Sequence, residues 1–165
     1  MNYQETKEEF VQLWGSLGSN WGINKAMAQI HAILLASENP MTTDEIMEEL
    51  KISRSNSNLN IRALIDWGLV YKKHVAGDRK EYFIAEKDMW QVAIKIMRER
   101  RKREIEPLIR DLKRLSDFDT KSYEDKKFKN LLDQTVELSE KLSSIGNAVE
   151  KVDKNSFFKW IMKLF

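Results

Sequence analysis

The chain has 165 residues, of which 42% are hydrophobic and 33% charged, with no cysteine, two histidines and a formal net charge of +2. Such totals bound a folded protein of one domain, or of one domain with helical extensions, and exclude a disulfide framework, a thiolate metal site and binding of nucleic acid by bulk charge alone. With only His31 and His74 no zinc site is expected; no cofactor is implied, and no Gly-rich phosphate loop or nucleophile–base pairing marks an enzyme. The polar, acidic start of the chain is not a secretory leader and no apolar run is long enough to span a bilayer, so the expectation is a cytoplasmic protein with no membrane partner.

In chain order, the apolar period predicts a first helix from about Glu5 to Leu17, with Phe10, Leu13, Trp14 and Leu17 on one face. Gly15, Gly18 and Gly22 loosen the stretch up to Gly22, and the helix is expected to fray near Gly18. Trp14 and Trp21 suit a ligand cavity or plain core, and an aromatic at helical spacing is more often core. Asn24 is placed to cap a second helix carrying Met27, Ile30, Ile33, Leu34 and Leu35 to about Ser37. Glu38-Asn39-Pro40 ends it, because the residue before proline is pushed out of the helical region. His31 lies beside the apolar face, which fits a core histidine better than a pH sensor.

The most informative stretch runs from Thr42 to Ile84. Thr42 and Glu45 have the spacing of a capping box, and the short helix behind them carries Ile46, Met47 and Leu50. Lys51 and Ile52 lead to Ser53, a second N-cap, and to a longer helix that runs to Trp67 and stops at Gly68. Two short helices joined by a tight turn form a helix-turn-helix, whose second helix suits a DNA major groove. In that helix Ser57, Asn60, Ile61 and Leu64 share an inner face, with Ile61, Leu64 and Ile65 expected to carry the packing. Ser55, Asn58, Leu59 and Arg62 share an outer face. Asn pairs with adenine, Arg with guanine, and Leu touches a thymine methyl, each good bidentate pair discriminating by about 1–3 kcal/mol. Beyond Gly68, Leu69-Val70-Tyr71 and Tyr82-Phe83-Ile84 are β-prone and flank a basic tip at Ala76-Gly77-Asp78-Arg79, which predicts a hairpin. Arg79 at the tip suits a narrow minor groove; the bland reading pairs it with Asp78 across the turn. Charge is divided along the motif: Asp44, Glu45, Glu48 and Glu49 make its first helix acidic, and the second helix and hairpin carry Arg54, Arg62, Lys72, Lys73, Arg79 and Lys80.

The run from Ala28 to Trp90 resembles the MarR-type winged-helix repressors, and most of all their GbsR branch. The residues that carry the resemblance are Ser53-Arg54-Ser55-Asn56-Ser57-Asn58-Leu59, Ile61-Arg62-Ala63-Leu64, Trp67-Gly68-Leu69-Val70 and Gly77-Asp78-Arg79-Lys80 with Tyr82-Phe83 behind them. It covers a little over a third of the chain strongly and the flanking helices in layout only. What it implies is a DNA-binding regulator and the sensing of a small quaternary ammonium such as choline, for which the tryptophans would supply a cation–π cage. By their own spacing, Trp14, Trp21, Trp67, Trp90 and Trp160 read as core or interface.

From Lys87 a long helix is expected, with Trp90, Ala93, Ile94, Met97, Ile105, Ile109 and Leu112 on or near one face and a kink or break at Pro107. Its basic run, Arg98 to Arg103, fits a phosphate contact and a solvated face equally. Ser116 to Ser122 forms a turn. Phe128, Leu131, Thr135, Leu138, Leu142, Ile145, Val149 and Val152 then alternate by three and four over about three heptads, a seam that pairs with another helix within the chain, between subunits, or both. The aromatic tail, Phe157 to Phe165, is too short to span a membrane; docking on the core or on a partner subunit is favoured over an interfacial anchor.

The expected fold is therefore mainly α with a small β-hairpin wing: an N-terminal supporting helix (residues 1–22), a winged helix-turn-helix (23–86) and a C-terminal helical dimerisation region (87–165). The expected function is a homodimeric regulator, in the first place a repressor, that reads double-stranded DNA on an inverted-repeat operator. Its recognition helices would occupy successive major grooves about 34–36 Å apart. Arg54, Ser55, Asn56, Asn58 and Arg62, with Lys72, Arg79 and Lys80, form the expected DNA face, and Leu131, Leu138, Leu142 and Ile145 the dimer seam. An effector of unknown identity is left open. The alternative is a winged-helix protein-interaction module with no role on DNA, motivated by the near-neutral total charge.

Overall fold

Side-chain caps decide where the helices of this chain begin. In the computed structural model, which describes residues 1–161, the Asn2 side chain accepts from Glu5 N–H at 2.9 Å and the Glu5 carboxylate accepts from Asn2 N–H at 2.9 Å. This box opens α1 (Tyr3–Asn20) earlier than its apolar pattern predicts. Asn24 caps α2 (Lys25–Ala36), Thr42 caps α3 (Thr43–Leu50) through its box with Glu45, and Ser53 caps α4 (Arg54–Asp66). Lys51, in the left-handed region at φ 54°, turns the chain between α3 and α4. Gly68, at φ 69°, ends α4: its N–H donates to Ile65 O at 2.8 Å, and Leu69 N–H donates to Leu64 O at 2.9 Å.

α1 does not fray at Gly18. It continues to Asn20 because Gly15 and Gly18 are where α2 comes closest. A Cβ on Gly18 would stand 2.5 Å from the Ala28 Cβ, and one on Gly15 2.7 Å from the Gln29 Cγ. The buried row of α1 is accordingly Val11, Gly15 and Gly18, with Phe10, Trp14 and Leu17 half-buried and Leu13 exposed. The expected Phe10–Leu13–Trp14–Leu17 face is thus rotated by the glycine contact. α2 is the centre of the first core: Ile30, Ile33 and Leu34 are buried with Ile46 of α3 and Ile61 and Leu64 of α4.

A small sheet closes this core. β2 (Val70–Lys73) and β3 (Tyr82–Ala85) form the expected hairpin, and β1 (Met41–Thr42) adds a third antiparallel strand in the order β1-β3-β2, with Met41 opposite Phe83 and Val70 opposite Ala85. Thr42 therefore serves twice, as a strand residue beside Tyr82 and as the cap of α3. A two-residue strand offers no alternation to read, so the sequence showed only the cap. After β3, the Lys87 ammonium donates to the carbonyls of Leu34, Leu35 and Ser37 at 2.6–2.8 Å, filling the acceptors left open at the end of α2.

The chain divides into two compact units, Met1–Val92 and Ala93–Phe165, with the boundary inside α5 (Met89–Arg100). In the second unit a π-helical turn (Arg101–Ile105) leads into α6 (Glu106–Ser116), with Pro107 in its first turn. The expected break at Pro107 is thereby avoided: Glu106 N–H reaches back to Arg101 O, and the proline stands where a helix start needs no donor. The polar turn after Ser116 leads to α7 (Tyr123–Lys151), which packs back along α6, and then to α8 (Lys154–Ile161). No helix among the described residues is long and apolar enough to cross a membrane. The end of the expected aromatic tail, Met162 to Phe165, lies outside the described residues.

Candidate nucleic-acid interface

α4 buries one face and exposes the other. Ser57, Asn60, Ile61 and Leu64 are buried and Ile65 is half-buried. The polar pair on this inner face has different fates: Asn60 Nδ2 donates to Asn56 O at 2.8 Å and Asn56 Oδ1 at 2.7 Å, while Ser57 Oγ has no partner among the described residues. Ser55, Asn58, Leu59 and Arg62 are all exposed, Leu59 at 68%. Asn56 departs from the expected reading set. It is half-buried and its side-chain oxygen is engaged by Asn60, so it braces the helix instead of facing outward.

The wing lies in the same unit, and residues 71–81 are exposed throughout. Its tip turns at Gly77, φ 84°. The Asp78 carboxylate accepts from Lys80 N–H at 2.9 Å and from the Tyr82 hydroxyl at 2.8 Å, and these bonds hold its pKa below the usual carboxylate value. Asp78 thus shapes the turn, which answers the pairing with Arg79 weighed for it; Arg79 and Lys80 stay exposed at the tip. Two other basic groups of the face are paired: Arg54 with Asp44, and Lys72 with Glu81.

In the basic run of the second unit Arg98, Lys102 and Arg103 are exposed, as on a solvated face, and most of the run is ion-paired. Arg98 and Arg101 pair with Glu150, Arg100 with Glu104, and Arg103 with Glu99. These carboxylates consume most of the run inside the helical unit. The heptad seam is also placed in a way the periodicity left open. α7 packs against α6 through a neighbouring row that includes Leu132 and Ser139, both buried. Leu131, Leu138, Leu142 and Ile145 remain 56–59% exposed, in line with Phe128.

Trp14, a candidate for an aromatic cage, packs on Phe10 at 5.5 Å between ring centroids and donates its Nε1–H to His31 Nδ1 at 3.3 Å, as a core residue does. A groove of about 800 Å³ runs beside α1, α2 and α3, but Gln4, Glu8, Gln12, Gln29 and Glu49 line it, and no aromatic residue does. Among the described residues no group of carboxylates and histidines could hold a metal ion.

Residues 17–88 match the family model described as the sugar-specific transcriptional regulator TrmB. The HTH-type transcriptional repressor GbsR of Bacillus subtilis (strain 168) is 31% identical over 71 residues, which is 43% of this chain and 39% of that protein, so the chain matches about two fifths of its relative's length. A crystal structure of a transcriptional regulator superposes with a TM-score of 0.67 at 20% identity, covering 88% of this chain and 95% of the other. A MarR transcriptional regulator from Methanosarcina mazei Go1 aligns with a TM-score of 0.38 at 19% identity over 84% and 94% of the two chains.

Proposed function

We propose that this chain, which has the winged-helix fold and is similar over residues 17–88 to the transcriptional regulators named above, is a regulator of the GbsR/MarR type that binds double-stranded DNA as a homodimer and represses by occupying an inverted-repeat operator. The observation that carries this is the outer face of α4. Ser55, Asn58, Leu59 and Arg62 are exposed on a helix whose opposite face is buried, in one unit with an exposed wing that ends in Arg79 and Lys80. Arg62 and Asn58 suit base edges, and Arg54, Lys72, Arg79 and Lys80 suit phosphates. In this reading residues 1–22 support the motif, 23–86 read DNA, and 87–165 bring two copies together through the exposed leucine and isoleucine row of α7.

Fluorescence anisotropy with duplexes selected from a random pool, over a series of salt concentrations, tests the DNA role. Arg62→Ala is expected to lose about 1–3 kcal/mol of sequence discrimination, and Arg79→Ala to weaken binding to all sequences and reduce the salt slope by about 0.9. Wild-type affinity and slope in both variants would remove the assignment.

A further inference from the structure

Glu81 occupies an unusual place for an acidic residue on a surface meant for phosphates. Its carboxylate pairs with Lys72 of β2, both side chains being exposed. It also lies in the field of Arg62 on α4 and of His74 in the wing; the bond to Lys72 first, and these two charges after it, hold its pKa below the usual carboxylate value. Lys72 of β2 pairs directly with this carboxylate, and Arg62 of α4 acts on it through its field. A second acidic residue repeats the arrangement: Asp44, in the first turn of α3, pairs with Arg54 at the start of α4.

Stability does not account for these pairs, since exposed ion pairs contribute little to folding. Turn chemistry does not account for Glu81 either, because Asp78 already bonds the turn. What both pairs do is neutralise, in the free protein, basic groups that DNA would use.

We propose that Glu81, with Asp44 in support, is a built-in counter-ion that lowers the affinity of this protein for DNA. Duplex binding is then an exchange: Lys72 leaves Glu81 for a phosphate, Arg54 leaves Asp44 for another, and each abandoned carboxylate must take up a cation from solution. That uptake offsets part of the counterion release that drives binding. It leaves the complex weaker and its salt dependence shallower than the number of basic residues implies. The inference rests on the DNA-binding reading above.

The test is an anisotropy titration of wild type, Glu81→Gln, Asp44→Asn, Lys72→Gln and the Glu81→Gln/Lys72→Gln double variant, with the same selected duplex and with a scrambled one. Glu81→Gln is expected to bind both duplexes roughly two- to fivefold more tightly at low salt, the range of one exposed ion pair. Its salt slope should steepen by about 0.9, one freed charge. The gain should shrink in the Lys72→Gln background, and Asp44→Asn should give a smaller gain of the same kind. Both acidic positions are exposed, so circular dichroism should show unchanged folding. Wild-type binding with no gain in Glu81→Gln would overturn this inference alone. A gain confined to the selected duplex would overturn it in favour of direct base contact by Glu81. A wild type that binds neither duplex at low salt would overturn it together with the DNA reading.

Discussion

His31 shows how much one buried side chain constrains. Its Nδ1 accepts from Trp14 Nε1–H, so the ring proton sits on Nε2, which has no partner among the described residues. Burial first, and the positive charge of Lys87 second, lower its pKa from 6.5 to about 4. The unfolded chain therefore takes up a proton as the pH falls through about 6.5, while the folded chain stays neutral until about pH 4. The stability this histidine secures is complete above that upper value and is lost toward the lower one, by on the order of 3 kcal/mol. Urea unfolding at pH 7 and pH 4.5 is expected to show wild type losing about 2 kcal/mol more than His31→Gln between the two conditions. Equal losses would mean that the folded state accepts the charge. A group that stays neutral over this range is core and no sensor near neutral pH, which is the reading its place on the apolar face of α2 favoured.

At the scale of elements, the caps were legible because hydroxyl and carboxylate spacings are local. Thr42, Glu45 and Ser53 stand where the sequence puts them, and Gly68 ends α4 as expected. What needed the structure was anything set by a neighbour distant in sequence. Glycines that read as a fraying end are instead a helix crossing, because the partner residue Ala28 is not visible from α1. Pro107 reads as a break, and the π-helical turn before it converts the break into a helix start. The two glycines of α1 separate by what faces them. Gly18→Ala would drive a Cβ into the fixed Cβ of Ala28; overpacking of about 1–3 kcal/mol exceeds the helix-propensity gain of roughly 1 kcal/mol, so a net loss in urea unfolding is expected. Gly15→Ala meets the flexible Gln29 side chain, which can move, so stability should be unchanged or improved. A Gly18→Ala variant as stable as wild type would show that α1 and α2 do not cross this closely.

Over the whole molecule, the buried and exposed faces of α4 were legible in the sequence, because they alternate in a period that can be counted. Asn56 was assigned outward since nothing in the sequence shows that Asn60 takes its oxygen. The ion pairs of Arg54 and Lys72 join residues ten and nine positions apart, beyond any helical or strand spacing. The seam on α7 was visible as a period, but the period alone did not say which partner uses it. α6 engages the adjacent row, with Leu132 and Ser139, and Leu131, Leu138, Leu142 and Ile145 are left more than half exposed along the helix. Apolar residues sustained at heptad spacing are favourable only when another helix covers them, and in the homodimer proposed above a second copy would supply that helix on a self-complementary face. Leu138→Asp/Leu142→Asp should therefore separate the subunits while leaving each folded, since neither leucine is buried within the chain. With about 1.5–3 kcal/mol attached to covering each leucine, a wild-type dimer in sedimentation equilibrium should become a monomer in the variant at the same concentration, with unchanged helical circular dichroism. The same variant should lose about a hundredfold or more in affinity for a two-half-site duplex, where binding the second site ceases to be intramolecular. Its affinity for a single half-site should stay close to that of wild type. A double variant that still sediments as wild type does would take α7 out of the dimer interface, and the paired reading of DNA would need another surface to join the copies.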